Sequence, residues 1–597
     1  MKLLSRSAVC GLVLGGVLVV GGGCGPSANT GTNSTGPNSV AVNPWPKFAS
    51  AVRATPDPKG VRSAAAELTA GLSNAPADAR PKAADPAALD AVAAALKLTD
   101  AEKKTLAGGE LSPLDANYLG ECLYLSDAAA GLGVTAADPA GVRADAAFRF
   151  VCRQVVLAPA AIGQVLLPPV PPSFVLSRGS GTGLERAVAF VALCRQLDLD
   201  AYYLGPPAAA GRGWTHQGPA APGQPPKGPF WGVGVQTADG VLVFDPWRGE
   251  AVPGKVASRP VTLAELKADP SACPWVSDKG KAWDVTADDI KEGGLFLSPP
   301  LPALSPRMLF VQQRLKEAVG VRLAVDWAAA VKAAEGAAGG APVGGWNPAG
   351  DPFSPVRALG SFLPKEQGGL DPTPEKDSLF TRYNAARLPM DRIQATPPEV
   401  TNRTAESRLR QASAATYGDA FLVPPTPREK IQRGQYNVAV SELVKRRDDF
   451  NRLLSGREDD LTEWYKSLSA AYDRYTAAQG TPGEAVAREE AEKFLRGGGQ
   501  FQRAVGGMIA EVGVGEVNYL LALAAHEQAE AAEATAARAE REKAGAAEAR
   551  VAAKAEWAKA SRGWKRYAEY ADAQAASFPG RKENADALAV RADKLAK

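Results

Sequence analysis

The chain has 597 residues, of which 45% are hydrophobic and 22% are charged. These are the proportions of ordinary globular protein, and the length leaves room for several domains of ~150 residues. The 68 lysines and arginines nearly balance the 65 aspartates and glutamates, giving a net charge of +3, so no basic surface argues for nucleic acid as a partner. The two histidines, His216 and His526, are too few for a multi-histidine metal site. We predict neither a metal nor a cofactor.

The N-terminus has the layout of a secretory signal over residues 1–23. Lys2 and Arg6 precede an apolar run at 8–20, which is shorter than the ~20 residues that a membrane-spanning helix needs. Glycines follow this run up to Cys24, and small residues directly before a cysteine resemble the lipobox of bacterial lipoproteins. The resemblance implies cleavage before Cys24, lipidation of its thiol and a membrane-anchored protein outside the cytoplasm. A secreted or periplasmic protein that is cut nearby is the alternative.

Composition and hydrophobic spacing divide the chain after the signal into six segments. Small polar residues after Cys24 predict a flexible tether, and proline and glycine mark a linker further on. The fold class that the whole pattern predicts is α+β and rich in helix. In chain order the segments are a tether (24–52), an N-terminal helical region (53–160), a domain with both helices and strands (161–298), a helix–strand–helix extension (299–338), a Pro/Gly-rich linker (339–400) and an α-helical C-terminal region (401–597).

Helix start signals recur through residues 53–160. Thr99 and Glu102 have the spacing of a capping box, and Ser112 followed by proline begins another helix. The next segments mix helix and strand, and an Asp-Gly pair at 239–240 predicts the turn of a hairpin. The predicted elements are, in order, a helix (142–156), a helix (184–197), a strand (201–204), two hairpin strands (230–236 and 241–244) and a strand within the extension (321–325).

The C-terminal region is helical by its spacing of apolar side chains. An alanine-rich stretch at 529–570 is interrupted by Gly545, and a final helix carries Leu588 and Leu595. Paired helices joined by short turns show a weak similarity to tetratricopeptide-type hairpins, although no clean 34-residue period is present. The apolar stripes predict packing of helix on helix. Their members include Tyr436, Val440, Leu443, Phe450, Leu454, Trp557, Trp564 and Tyr567.

Residues 181–197 combine a glycine-rich start with a helix that ends in Leu-Cys-Arg-Gln-Leu. This pattern resembles the transglutaminase-like superfamily, in which a cysteine nucleophile opens such a helix. The resemblance covers roughly 165–253 and implies a papain/transglutaminase-like core, with the helix packed on an antiparallel sheet. In that arrangement the positive end of the helix lowers the pKa of the thiol. A histidine on the sheet takes the proton, and a carboxylate orients the histidine.

Two of the three catalytic positions of that family are replaced in this chain. Matching Arg195 and Leu197 to the family's arginine and leucine places Gly183 at the nucleophile position. The histidine position holds Phe230, and Asp245 alone matches. Loss of the nucleophile typically removes about 10³-fold or more of a triad's rate, and without a thiol no covalent acyl-enzyme forms. The resemblance therefore implies the fold and argues against the activity.

The other chemistry-bearing residues have ordinary structural interpretations. Cys194 lies ~16 Å along the helix from Gly183 and is predicted to be core, whereas His216, in a Gly/Pro-rich loop, is predicted to be a surface residue. Asp245 before a proline is typical of a turn at a strand end. In an oxidising compartment the cysteines of the body could form disulfides in three pairings, and buried free thiols are the alternative. These cysteines are Cys122, Cys152, Cys194 and Cys273.

Three functional hypotheses follow from these observations. The first is a non-catalytic lipoprotein of the cell envelope, whose degenerate transglutaminase-like domain and C-terminal helices bind a protein or peptide partner. The second is a cysteine enzyme of the same fold with a relocated nucleophile such as Cys152 or Cys273. The third is a structural envelope protein whose alanine-rich helices self-associate. The replaced residues at 183 and 230 favour the first hypothesis over the second.

Overall fold

The computed structural model describes most of the chain between residues 43 and 597. The described residues fall into two compact units, 43–363 and 427–597. The predicted fold class, helix-rich α+β, is confirmed. The signal, Cys24, His216 and Phe230 lie outside the described residues. The described ranges are 43–54, 58–72, 75–81, 83–157, 161–162, 165–166, 170–205, 231–256, 259–277, 285–347, 355–363, 427–454, 458–496, 498–573 and 581–597.

Helices dominate the N-terminal part of the first unit. The predicted capping box at Thr99 is present: the Thr99 hydroxyl accepts from the Glu102 amide and the Glu102 carboxylate accepts from the Thr99 amide. A second box joins Ser112 and Asp115. Each box satisfies amide groups that a helix start leaves without partners. The helices are α1 (Trp45–Ala54), α2 (Pro58–Leu72), α3 (Pro86–Ala95), α4 (Asp100–Ala107), α5 (Pro113–Gly131), α6 (Ala140–Gln154), α7 (Pro172–Arg178) and α8 (Gly183–Gln196).

A six-stranded mixed sheet forms the centre of the first unit. Its spatial order is β10-β9-β5-β6-β7-β8, with β10 parallel to β9 and the other neighbours antiparallel. The predicted hairpin is present, with Val235 opposite Leu242. Two short pairs, β1 with β4 and β2 with β3, stand apart from this sheet. The strands are β1 (Val156–Leu157), β2 (Ala161–Ile162), β3 (Val165–Leu166), β4 (Ser180–Gly181), β5 (Ala201–Gly205), β6 (Gly232–Thr237), β7 (Gly240–Asp245), β8 (Glu250–Ala251), β9 (Gly294–Leu297) and β10 (Val343–Gly345).

Each face of the sheet is covered by helices. On one face Phe244 of β7 meets Phe148 of α6 and Phe190 of α8, with ring centroids 5.0 and 5.2 Å away. On the other face Tyr202 and Val243 belong to an apolar cluster with the later helices of the unit. Burial of these large side chains stabilises the packing of helix on sheet. The later helices are α9 (Leu263–Ala268), α10 (Pro274–Ser277), α11 (Ala287–Glu292), α12 (Pro306–Val319), α13 (Trp327–Ala337) and α14 (Ala358–Phe362).

Two segments whose composition predicts a tether or a linker are folded in part, each at the end that adjoins the first unit. The tether predicted over 24–52 ends earlier, because Trp45 of α1 is buried and its indole N–H donates to the Ala79 carbonyl at 2.8 Å. The linker predicted over 339–400 begins later, because β10 extends the sheet and Trp346 is buried against it. Composition missed both segments because their partners are distant in sequence.

The strand predicted at 321–325 is not formed. The segment has no regular secondary structure, and side-chain amides bind its backbone instead of a neighbouring strand. Gln196 accepts from the Arg322 amide and donates to the Arg322 carbonyl, at 3.0 and 2.8 Å. Gln312 accepts from the Leu323 and Ala324 amides. Val321 and Leu323 of this segment are buried, so its apolar residues reflect burial and not strand pairing.

The second unit is entirely helical over its described residues. Gly545 has a φ of +64° and separates two long helices, as predicted, because glycine adopts the left-handed conformation without a steric penalty. Trp557, Trp564 and Tyr567 lie buried on one side of the second of these helices, also as predicted. The helices are α15 (Pro427–Gln432), α16 (Tyr436–Leu454), α17 (Glu458–Ala478), α18 (Glu484–Arg496), α19 (Gly498–Glu542), α20 (Ala546–Ala573) and α21 (Arg581–Ala596).

Within the part of the chain that the structure describes, no helix combines the length and the apolar character that a membrane span requires.

Candidate functional site

Gly183 is the first residue of α8, and a capping box surrounds it. The Thr182 hydroxyl accepts from the Glu185 amide at 3.1 Å, and the Glu185 carboxylate accepts from the Thr182 amide at 2.8 Å. Gly183 is buried. The start of α8 is thus closed by its own neighbours, without a side chain at the position where the family resemblance implied a nucleophile.

The Glu185 carboxylate is the charged group at this helix start. It is 3% exposed and also lies 3.3 Å from the Val170 amide, which donates to it. A negative charge here offsets the positive end of the helix dipole. A thiolate placed at Gly183 would therefore face a carboxylate as well as the dipole, and like charges raise a thiol pKa. The Glu185 carboxylate therefore offsets part of the effect that the helix dipole would have on a thiol at this position.

Arg186 joins the first turn of α8 to the ends of two other elements. Its guanidinium donates to the Val155 carbonyl at 2.8 Å and to the Pro246 carbonyl at 3.2 Å. A longer bond of 3.4 Å reaches the Cys152 carbonyl. These contacts bring the end of α6, the start of α8 and the end of β7 together. The Arg186 side chain thus joins the first turn of α8 to the turn that follows Asp245.

Asp245 is used as a turn former. It ends β7, is 2% exposed, and its Oδ1 accepts from the Trp247 and Arg248 amides at 2.8 and 3.0 Å. Short polar side chains that accept from the backbone two residues on are typical of turns at strand ends. Phe230, at the histidine position of the resemblance, lies outside the described residues.

All four cysteines of the first unit are free thiols. Burial raises the pKa of the Cys122 thiol to about 12 and the pKa of Cys152 to about 11, and nearby arginines offset these shifts only in part. Burial likewise raises the pKa of Cys194 and of Cys273. Cys194 is fully buried, which agrees with its prediction as core. The thiolate is the nucleophilic form of cysteine, so none of these thiols is activated.

Cys152 is the cysteine whose backbone carbonyl contacts Arg186. It lies in the last turn of α6, where the negative end of the helix dipole disfavours a thiolate. A Cβ built on Gly249 would lie 3.7 Å from its Sγ, so the loop after β7 packs closely on the thiol. The one histidine among the described residues, His526, belongs to the other unit. Cys152 therefore lies at an unfavourable helix end, and the described residues of its own unit include no histidine that could serve as its base.

Glu121 is a buried acid of the first unit that sequence reasoning missed. Glu121, in the middle of α5, is 5% exposed, and its carboxylate accepts from the Ser173 hydroxyl at 3.2 Å. Burial raises the pKa of Glu121 to about 7, although its bonds to Ser173 and the charge of Arg195 act in the opposite direction. The sequence contains a signal for this burial, because apolar residues occur on every side of α5. Such a helix is typically buried all round. A glutamate within it is therefore buried.

The described residues contain no group of three or more histidine, cysteine, aspartate or glutamate side chains arranged to hold a metal ion. Comparisons with protein-family models, with curated proteins and with solved structures gave no match to this chain. The fold and this neighbourhood define a helix-rich α+β protein with a six-stranded mixed sheet, in which α8 begins with a capping box of Thr182 and Glu185 and has glycine as its first residue.

Proposed function

We propose that the protein is a non-catalytic lipoprotein of the cell envelope, anchored through Cys24, whose first unit is a degenerate transglutaminase-like scaffold. Its C-terminal helices then bind a protein or peptide partner. The observation that carries the proposal is the start of α8, where Gly183 has no side chain and the Glu185 carboxylate closes a capping box with Thr182. Both features oppose a thiol mechanism.

The packing of α8 supports the transglutaminase-like part of the proposal. The helix lies against strands β5, β6 and β7, and Phe190 contacts Phe244 on the strand that ends at Asp245. The family arrangement has the same order of helix, strand and aspartate-bearing strand. What differs is the chemistry: the aspartate oxygen is engaged by two backbone amides of its own turn.

The thiols of the first unit support the non-catalytic part. A relocated nucleophile needs a lowered pKa and a base within ~3 Å. Cys152 and Cys273, the candidates from the sequence, have raised pKa values because burial disfavours the thiolate. Among the described residues of the first unit, the raised pKa values of these two thiols favour a scaffold over the enzyme hypothesis.

The proposal is tested by photo-crosslinking at exposed apolar positions of the second unit. Val551 on α20 and Val590 on α21 are each 69% exposed, so a benzoylphenylalanine at either position leaves the packing intact. Val142 on α6, 41% exposed in the first unit, is the matched control position. We expect irradiation of whole cells to give a discrete adduct with a second protein at Val551 or Val590 and not at Val142. The masses of the adducts are read by gel and mass spectrometry.

Two results would contradict the proposal. Adducts that contain two copies of this chain alone would favour the self-associating structural protein. Absence of any adduct, together with an amidase or acyl-transfer activity that is lost on Cys152→Ser or Cys273→Ser, would favour the enzyme. Chain that keeps its signal and lacks lipid at Cys24 would contradict the membrane-anchored location. The binding role would then be judged from the adducts alone.

A further inference from the structure

His526 is completely buried in the seam, which is the packed contact between helices α19 and α20. Its ring makes edge-to-face contacts with Trp557, at a centroid distance of 5.1 Å, and with Trp564, at 6.0 Å. Both tryptophans are fully buried as well. The imidazole is therefore surrounded by aromatic carbon and shielded from water, in an environment where a positive charge is costly.

The hydrogen bond to Trp564 defines the protonation state that the packing requires. The Trp564 indole N–H donates to His526 Nδ1 at 3.0 Å. An indole nitrogen can only donate, so Nδ1 must be the unprotonated nitrogen and the proton of the neutral ring is on Nε2. Protonation of Nδ1 would place two N–H groups against each other and leave the indole without its acceptor.

Several charged groups lie around the imidazole on the three helices that meet here. On α19, Glu530 Oε1 is 3.6 Å from His526 Nε2, and Glu527 is buried one residue along. On α21, Arg591 contacts Glu530 at 3.2 Å, so this carboxylate is already shared with a cation. Also on α21, Asp593 bonds Ser561 of α20 and pairs with Lys565. The attraction of Glu530 for an imidazolium is thus opposed by Arg591, by full burial and by the Trp564 donor.

We propose that His526 is an acid-sensitive clasp, which holds α19 against α20 while its ring is neutral and releases this seam when the ring is protonated. Histidine is the side chain whose charge ordinarily changes between pH 5 and 8. Because the cation is accommodated better in an opened seam than in the closed one, acid shifts the population towards the open form. The released surface is apolar, comprising the faces of α19 and α20 that carry the alanines and tryptophans.

The test is hydrogen exchange of the full chain at pH 7.5 and pH 5.0, with rates corrected for the intrinsic pH dependence of amide exchange. We expect protection of peptides from 519–533 and 553–568 to fall at least about tenfold at the lower pH. In His526→Gln the amide oxygen accepts from Trp564 but does not titrate, so the fall is expected to stay below about threefold. Trp564→Phe removes the opposing N–H and should reduce the fall relative to the native chain.

The variants also keep the inference open to refutation if one of them fails to fold. Protection that is unchanged or higher at pH 5.0 in the native chain would show that Glu530 stabilises the imidazolium, and would overturn the clasp. A pH response that persists in both His526→Gln and Trp564→Phe but disappears in Glu530→Gln would assign it to the carboxylate and overturn the role of His526.

Discussion

Replacing Arg307 by methionine is expected to lower the free energy of unfolding of the first unit by about 3–5 kcal/mol. Arg307 begins α12 and is 1% exposed, and its guanidinium pairs with both oxygens of Asp115 at 2.8 and 3.0 Å. It also donates to the carbonyls of Thr105, Leu106 and Gly108. Methionine fills much of the volume but leaves three carbonyls without this donor. It also leaves the buried Asp115 carboxylate, to which Ser112 still donates, without its cation.

The measurement uses the thiols of the first unit as a local probe. Brief alkylation at increasing urea, followed by mass spectrometry of the Cys122 and Cys194 peptides, reports unfolding of this unit alone, because both thiols are buried within it. Arg314→Met is the matched control: the same substitution in the same helix, but at an exposed side chain that donates to the Asp78 carbonyl and lies over the Phe310 ring. The control should cost less than about 1 kcal/mol. Equal losses of unfolding free energy in the two variants would contradict the stabilising role of the buried Arg307 contacts.

Glu121→Gln is expected to stabilise the first unit at alkaline pH by about 3 kcal/mol. The pKa of Glu121 is about 7 in the folded chain against 4.5 for an ordinary glutamate, because burial disfavours the carboxylate. Below pH 4.5 the acid is neutral in both states and has no effect on the pH dependence. As the pH rises from 4.5 through 7, the unfolded chain ionises first, so the free energy of unfolding falls. Glutamine accepts from Ser173 and cannot ionise.

The expected signature is a gain that depends on pH. Glu121→Gln should match the native chain near pH 4.5 and exceed it at pH 8, in the same urea and alkylation experiment. Glu110→Gln, at an exposed position before α5, controls for the loss of one surface charge. A Glu121→Gln chain that is less stable than the native one at pH 8 would mean that the ionised carboxylate is needed where it lies.

Local features of the fold could be predicted because their causes are local. The capping box at Thr99 and Glu102 and the break at Gly545 each depend on residues within one turn of chain. The same reasoning could have found the box at Thr182 and Glu185, since the Thr-x-x-Glu spacing is visible in the sequence. The family resemblance drew attention to position 183 instead, although the charge at position 185 matters as much for any thiol chemistry.

Long-range features could not be predicted from the sequence. The parallel pairing of β10 with β9 joins residues about fifty positions apart, and glycines around it look like a linker. The extended segment after α12 is held by Gln196 and Gln312, and nothing in its own composition shows that side chains rather than a strand bind its backbone. In the candidate site, the proline after Asp245 allowed the role of this aspartate in a turn to be predicted. The contacts of Arg186 with the Cys152 and Pro246 carbonyls could be seen only in the folded structure.

The claim that the first unit holds no activated thiol is tested most directly by the rate of alkylation of each cysteine from pH 6 to pH 10. In the folded full chain, Cys122 and Cys194 should react only on unfolding. Cys152 should react more slowly than in the unfolded chain and gain speed only at alkaline pH, since burial raises its pKa to about 11. A cysteine of the folded chain that reacts at pH 6–7 faster than in the unfolded chain would contradict the non-catalytic account.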